Sequence, residues 1–216
     1  ILHVGLPLGL NNALYSFGHL MLQTLYNTQG SVFVAGCSVA SKISSLANVA
    51  ITSFSSAASV FSGQNFGAGL TDRLRRGALR IPLACGAFTL AAGLLLTLFR
   101  LPVLTLFTRD EAVLAGAARY VVVVLPFTWC YAGFNGIINY VNGLGVIRYP
   151  TVVNLLILWA VRIPSAWLLA AVGLGDYCMA GMSLSFVAGM AAMLPFYRTH
   201  RWAELCSRCS ANAKTG

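Results

Sequence analysis

The stretch Ser59-Val-Phe-Ser-Gly-Gln-Asn-Phe-Gly-Ala-Gly-Leu-Thr-Asp-Arg-Leu-Arg-Arg76 decides the fold. A long run of small and apolar residues leads into it. That run ends in the amides Gln64 and Asn65 and the glycines Gly63, Gly67 and Gly69, and Arg73, Arg75 and Arg76 follow at once. This is how a membrane-spanning helix stops at a cytoplasmic surface. Glycines open the backbone, amides meet the interface, and arginines stay on the side from which the chain was inserted.

The totals agree. Charged residues are 9% of the chain and hydrophobic ones 58%, with a mean hydropathy of +0.77, whereas a soluble domain carries about 25% charged residues. The expected fold is all-α, a polytopic membrane protein. The net charge of +9 sits in short arginine runs between apolar segments. That is the positive-inside pattern and not a nucleic-acid footprint, so no nucleic-acid partner is expected. No cleavable signal peptide is visible. The chain starts at Ile1, close to a span, and reads as a fragment truncated at its N-terminus.

Six segments reach the roughly 20 apolar residues that a span needs: Val4–Tyr26, Val32–Phe61, Ile81–Phe99, Tyr120–Tyr140, Thr151–Val172 and Tyr177–Tyr197. Residues 1–202 then form one six-helix transmembrane lobe, and 203–216 form a cytoplasmic tail expected to be disordered. Arginines follow the second, fourth and sixth segments, so both termini are expected to be cytoplasmic. Cys37, Cys85, Cys130 and Cys178 lie in or at apolar spans, where a thiol acts as a small hydrophobe. Cys206 and Cys209 form a C-x-x-C with only His200 near, too few ligands for zinc, so no metal site is expected.

The first span has two faces. At about 100° per residue, Asn11, Asn12, Tyr15, Ser16, His19, Gln23 and Asn27 fall within roughly 160° of arc. Polar groups facing lipid are costly, so this stripe lines a cavity or bonds a neighbouring helix, and the histidine within it favours the cavity. Pro7 and Gly9 are placed to loosen the first turn. In the second span Ser38, Ser41, Ser45, Asn48, Thr52, Ser55, Ser59 and Ser62 recur with a period of about 3.5, the seam of a closely packed helix pair. Lys42 lies off that seam, either snorkelling outward or lining an aqueous cavity.

Ile81–Phe99 is apolar nearly all round and reads as a lipid-facing peripheral helix. Thr108-Arg-Asp-Glu111 reads as a capping box that starts a short extension into the fourth span. There Pro126 kinks the helix, and Thr128, Tyr131, Asn135, Asn139 and Asn142 form a second polar stripe. The fifth span holds Arg162 between Trp159 and Trp167, where insertion costs roughly +2.5 to +3.5 kcal/mol. Its guanidinium takes the Ala160 carbonyl freed by Pro164, or faces the cavity, or meets an acidic partner outside this chain. The sixth span, with Met179, Met182, Met190 and Met193, reads as adaptable packing surface.

The segment from Gly5 to Arg76 resembles the MATE family, the multidrug and toxic compound extrusion transporters. The matching residues are G-L-P-L-G-L at Gly5–Leu10, N-x-x-G at Asn27–Gly30 and S-V-F-S-G-Q-N-F-G-A-G at Ser59–Gly69. Further matches are F-x-R-D-E-A-V with Tyr120, G-L-G-x-x-R-Y-P at Gly143–Pro150 and L-W-A-V-R-I-P at Leu158–Pro164. The resemblance implies twelve helices in two six-helix lobes around a central cavity, with this chain as the C-terminal lobe and the N-terminal lobe as its missing partner. It implies an antiporter in the plasma membrane that exports small cationic or amphiphilic compounds in exchange for sodium ions or protons, with no other cofactor. The stripes and intramembrane charges make Asn12, Tyr15, His19, Gln23, Lys42, Tyr131, Asn135, Asn139 and Arg162 the candidate cavity residues, and Pro7, Gln64, Asn65, Gly67, Gly69, Pro126 and Pro164 the candidate structural or gating residues. Some members carry carboxylates in the first and fourth helices of this lobe. Here those helices have none, which places the coupling acid in the other lobe.

Two other readings compete. A lipid-linked precursor flippase of the related families would need a strongly basic cavity, and this chain offers Lys42, Arg162 and His19. A non-transporting six-helix membrane scaffold would need nothing from the stripes. No H-E-x-x-H, G-x-S-x-G or paired intramembrane Asp occurs, so an enzyme is not expected and no catalytic residue is assigned.

Overall fold

The structure, a computed structural model, describes residues 2–198, with side chains described from Ala13 to Pro195 except Arg148. The cysteine pair Cys206 and Cys209 and the 203–216 tail lie outside the described residues. The helices are α1 (Leu2–Thr28), α2 (Ser31–Gly67), α3 (Thr71–Leu98), α4 (Arg100–Leu104), α5 (Glu111–Val124), α6 (Thr128–Gly143), α7 (Arg148–Leu156), α8 (Ile163–Ala171) and α9 (Ala180–Arg198). No strand occurs among the described residues. Among the described residues, four helical stretches are long and apolar enough to cross a membrane: Ser31–Gly67, Thr71–Leu98, Glu111–Gly143 and Tyr149–Ala171. The protein is an all-α multi-pass membrane protein. α1 is 27 residues long and carries the polar stripe, and the apolar part of α9, Ala180–Pro195, is shorter than the four.

α5 and α6 form one rod, the most buried of the long stretches, packed against α2, α3 and α9. Pro126 breaks it. A 3-10 turn, Leu125–Phe127, replaces the α-helix there. The carbonyls around the break find hydroxyl donors: Ser183 of α9 donates to the Val123 carbonyl at 2.7 Å, and Thr128 to Leu125 at 2.6 Å. Irregular backbone inside a bilayer persists only where protein satisfies it in this way. α3 is pinned on the other side, where the buried Tyr140 hydroxyl donates to the Leu74 carbonyl at 2.7 Å.

Small residues set the helix spacing. A Cβ at Gly36 would lie 3.0 Å from the Ala117 nitrogen of α5, and one at Gly93 would lie 2.9 Å from the Leu125 carbonyl oxygen. α3 accordingly has two faces. Gly77, Ala78, Pro82, Cys85, Gly86, Thr89 and Gly93 are buried, while Leu79, Leu83, Phe88, Leu94 and Leu98 are exposed to the bilayer side.

Several expectations need correction. The packed seam of α2 is not the hydroxyl seam. It runs through Gly36, Ala40, Ile43, Ala47, Ile51, Ser55, Ala58 and Ser62, while Ser38, Ser41, Ser45, Asn48 and Thr52 are exposed. Apolar small residues pack closely without leaving a donor to satisfy, and the exposed hydroxyls of Ser38, Ser41, Ser45 and Thr52 are satisfied on their own helix. Ser38 donates to Val34 and Ser45 to Ser41, each at 2.8 Å. Gly63 does not open the backbone, because α2 continues to Gly67 and the positive-φ turn is at Gly69, at 70°. Asn65 does not meet the interface. It is buried and donates to the Phe61 carbonyl at 2.7 Å, while Gln64 is exposed. α1 runs unbroken through Pro7. The cap of α5 is Asp110 and not Thr108: its Oδ1 accepts from the Ala112 and Val113 nitrogens at 2.9 and 3.2 Å. Thr108 instead accepts from Asp110 N at 3.3 Å, one step outside the helix.

Candidate functional site

One side of the bundle carries a polar groove walled by α1, α2, the α5–α6 rod, the bend between α7 and α8, and α9. Among the described residues it holds two cavities and a constriction. The first cavity, about 210 Å³, is lined by His19, Gln23 and Tyr26 of α1, Cys37, Ser38 and Ser41 of α2, Tyr120, Met182 and Arg162. The second, about 140 Å³, is lined by Asn48, Thr52, Ser55 and Ser56 of α2 and by Tyr131, Asn135 and Asn139 of α6. The exposed hydroxyl stripe of α2 therefore runs along both. The Ser55 hydroxyl, buried in the second cavity, has no hydrogen-bond partner among the described residues.

Between the two lies a narrow space of about 10 Å³ bounded by Tyr15, Tyr131, Asn154, Arg162, Ser185 and Phe186. The Tyr131 and Phe186 rings are 4.7 Å apart, and the Arg162 guanidinium lies 5.4 Å from the Phe186 ring centroid. Arg162 borders both the constriction and the first cavity, and Tyr131 borders both the constriction and the second.

Arg162 is held by local backbone irregularity. Pro164 cannot donate to the turn before it, and that turn, Ile157–Arg162, opens into a π-helix. Arg162 ends the π turn at 7% exposure. Its Nε donates to Ser185 Oγ at 2.9 Å, and Ser185 in turn donates to the Met182 carbonyl at 2.6 Å. The acceptor is thus a serine of α9 and not the Ala160 carbonyl. Its charge is further offset by the Phe186 ring face, a cation–π contact.

The structure brings Tyr15, His19, Gln23, Tyr131, Asn135, Asn139 and Arg162 to one groove. Tyr15 and His19 rings are 4.9 Å apart, and Gln23 Nε2 donates to Asn27 at 3.2 Å. Lys42 is not with them: it is exposed, its Nζ 5.8 Å from the Phe107 ring centroid in the loop after α4. The Asn12 side chain lies outside the described residues. Gly67, Gly69, Gln64 and Asn65 stand at the α2–α3 turn, away from the groove. Ser185, Phe186 and Tyr120 were missed in the sequence. Ser183 and Ser185 were the available signal, two hydroxyls in an otherwise apolar span read only for its methionines.

An all-α multi-pass bundle with a polar groove along one side is the class of protein that fold and groove define. A family profile described as MatE matches residues 7–168, and the chain belongs to that family. It is 27% identical over 176 residues to "Probable multidrug resistance protein YoeA" of Bacillus subtilis, covering 79% of this chain and 37% of that protein. It is 26% identical over 208 residues to "Probable multidrug resistance protein YpnP" of the same organism, covering 94% and 45%. A third relative is "Probable multidrug resistance protein NorM" of Thermotoga maritima, 24% identical over 173 residues, covering 78% and 36%. The chain spans less than half the length of these relatives.

Proposed function

We propose that this chain is the C-terminal lobe of a secondary active antiporter that exports small amphiphilic or cationic compounds across the plasma membrane. All six apolar helical segments cross the bilayer on this reading, with both ends of the segment cytoplasmic. The observation that carries it is the groove: two polar cavities joined at a constriction by Arg162 and Tyr131. A polar groove cannot face lipid, so its open side belongs to a second lobe and to the cargo path. Rocking of one lobe against the other would open the two cavities alternately. The names of the relatives support efflux of several compounds, and their greater length supports a missing half.

No Asp or Glu occurs between Ile1 and Thr71 or between Ala112 and Gly175. The acid that couples export to sodium ions or protons then resides in the other half, which also supplies most of the attraction for a cation. The flippase reading gains little, because among the described residues Arg162 and His19 are the basic ones lining the groove and Lys42 stands apart. The test is drug efflux from cells expressing the full-length gene. Gln23→Ala and Arg162→Ala are each expected to lower efflux at unchanged membrane abundance, and full efflux by both variants refutes the reading.

A further inference from the structure

The arginine end of α3 carries a feature that retention on one side of the membrane does not require. At about 100° per residue Arg73, Arg76 and Arg80 fall within roughly 60° of arc. With Phe61, Gly77 and Ile81 they line an open cavity of about 340 Å³. The Phe61 ring of α2 lies against Gly77, where any Cβ would collide with it, so the ring forms an apolar floor. All three arginines are exposed. None of them makes an ion pair within 4 Å among the described residues, where Arg119–Asp176 is the pair that forms. Asp72 is the nearby carboxylate of α3, and it does not line the cavity.

The depth is also specific. From Ile81 to Leu98 α3 carries no charge, an apolar run close to the roughly 20 residues of a hydrocarbon core. Arg80 therefore stands at the edge of the acyl region, and Arg73 lies about 10 Å further out along the helix. That is the layer occupied by headgroups. A guanidinium fork matches phosphate oxygens, and an apolar floor beneath it matches the first carbons of an acyl chain.

We propose that this cavity is a binding site for an anionic phospholipid, its phosphate held among Arg73, Arg76 and Arg80 and its upper acyl chain on Phe61 and Ile81. Basic pockets between transmembrane helices hold anionic headgroups by the same chemistry. The site is distinct from the groove and does not depend on the transport reading.

The test uses the purified protein in nanodiscs of dioleoylphosphatidylcholine with a minor fraction of dioleoylphosphatidylglycerol. Native mass spectrometry after release counts the lipids retained. The wild type is expected to keep phosphatidylglycerol in preference to phosphatidylcholine. Arg76→Gln should lower that retention about fivefold, the effect of one arginine near an anionic surface. Arg75→Gln removes the same charge from the same turn but off the cavity, and should leave retention unchanged. Should Arg76→Gln not fold, Arg76→Lys and Phe61→Leu keep every inserting charge and should each still reduce retention. Equal losses in Arg75→Gln and Arg76→Gln overturn the proposal, as does unchanged retention in Arg76→Lys and Phe61→Leu together. Displacement of the lipid by millimolar inorganic phosphate would make this a free-anion site and also overturn it.

Discussion

Removing the Ser185 hydroxyl should uncouple the buried cation of the groove from α9. Arg162 is 7% exposed and Ser185 1% exposed, and the Nε–Oγ distance is 2.9 Å. Neutral hydrogen bonds between membrane helices average only about 0.6 kcal/mol. Here the donor is a guanidinium, and bonds to charged groups contribute roughly 1.5–3 kcal/mol. Ser185→Ala also leaves a buried N–H without its acceptor. We expect a loss of about 2 kcal/mol, which for a chain of this length lowers Tm by roughly 4–8 °C. The decisive assay is a double-mutant cycle in detergent micelles with Arg162→Met, which keeps the volume and removes the charge. The two changes should couple by at least about 1 kcal/mol. Ser183→Ala is the control: that hydroxyl serves the Val123 carbonyl, so its cost should be additive with Arg162→Met. Additivity of Ser185→Ala with Arg162→Met, within about 0.3 kcal/mol, would refute the account of how Arg162 is held.

Gly93→Ala should destabilise the protein by about 1–3 kcal/mol, because its Cβ would press on backbone at the Pro126 break and cannot be relieved by a rotamer change; thermal unfolding measures it, and a neutral result would show that α3 is free to shift. Asp110→Ala should cost about 1 kcal/mol through loss of the α5 cap, and Asp110→Asn should recover most of it; equal losses in the two would mean that the carboxylate charge and not the cap geometry is at work. Asp176→Asn breaks an exposed pair with Arg119 and should change stability by less than about 1 kcal/mol, which chemical denaturation would detect if larger. Cysteines placed at His19, Gln23, Asn135 and Asn139 should react with a membrane-impermeant maleimide in the full-length protein, and one at Leu94 should not; protection of all four groove positions would sink the transport reading.

Much of the bundle was legible because it follows from solvent alone. Hydrophobic runs of helical length have to be helices in a bilayer, and arginine runs have to stay at their ends. The break at Pro126 follows from ring chemistry. Of the stripe on α1, Tyr15, His19 and Gln23 line the groove, where polar groups avoid the cost of facing lipid. What failed were choices between neighbouring helix faces and neighbouring caps. On α2 two parallel seams compete, one of hydroxyls and one of glycine, alanine and isoleucine. Both step by threes and fours and they share Ser55 and Ser62, so spacing alone does not rank them. Contact with α5 and α6 does, because closeness of approach outweighs hydrogen bonding that Ser38, Ser41 and Ser45 already find on their own helix. Thr108 and Asp110 compete in the same way, two good caps two residues apart, and only the path of the chain from α4 selects between them. Ser185 was hidden for a different reason: its importance comes entirely from Arg162, 23 residues earlier, and no local pattern announces a partner at that distance.

The contact between Arg162 and Ser185 also bears on why the groove narrows between its two described cavities. Arg162 is too costly to leave facing lipid. Its contacts with Ser185 and Phe186 tie α9 to the π turn, and the Tyr131 ring also packs on Phe186. The constriction is therefore a consequence of neutralising one arginine with a hydroxyl and a ring instead of a carboxylate. A carboxylate partner would hold the guanidinium far more tightly. A serine and an aromatic face leave it able to exchange them for a better acceptor. On the proposed transport reading, an anion or carbonyl arriving in either cavity would compete directly with Ser185, and separating Arg162 from Phe186 would join the cavities. An Asp placed at Ser185 would strengthen the lock, so Ser185→Asp should raise Tm while lowering efflux by the full-length protein. A variant with raised Tm and unimpaired efflux would show that this constriction does not open during transport.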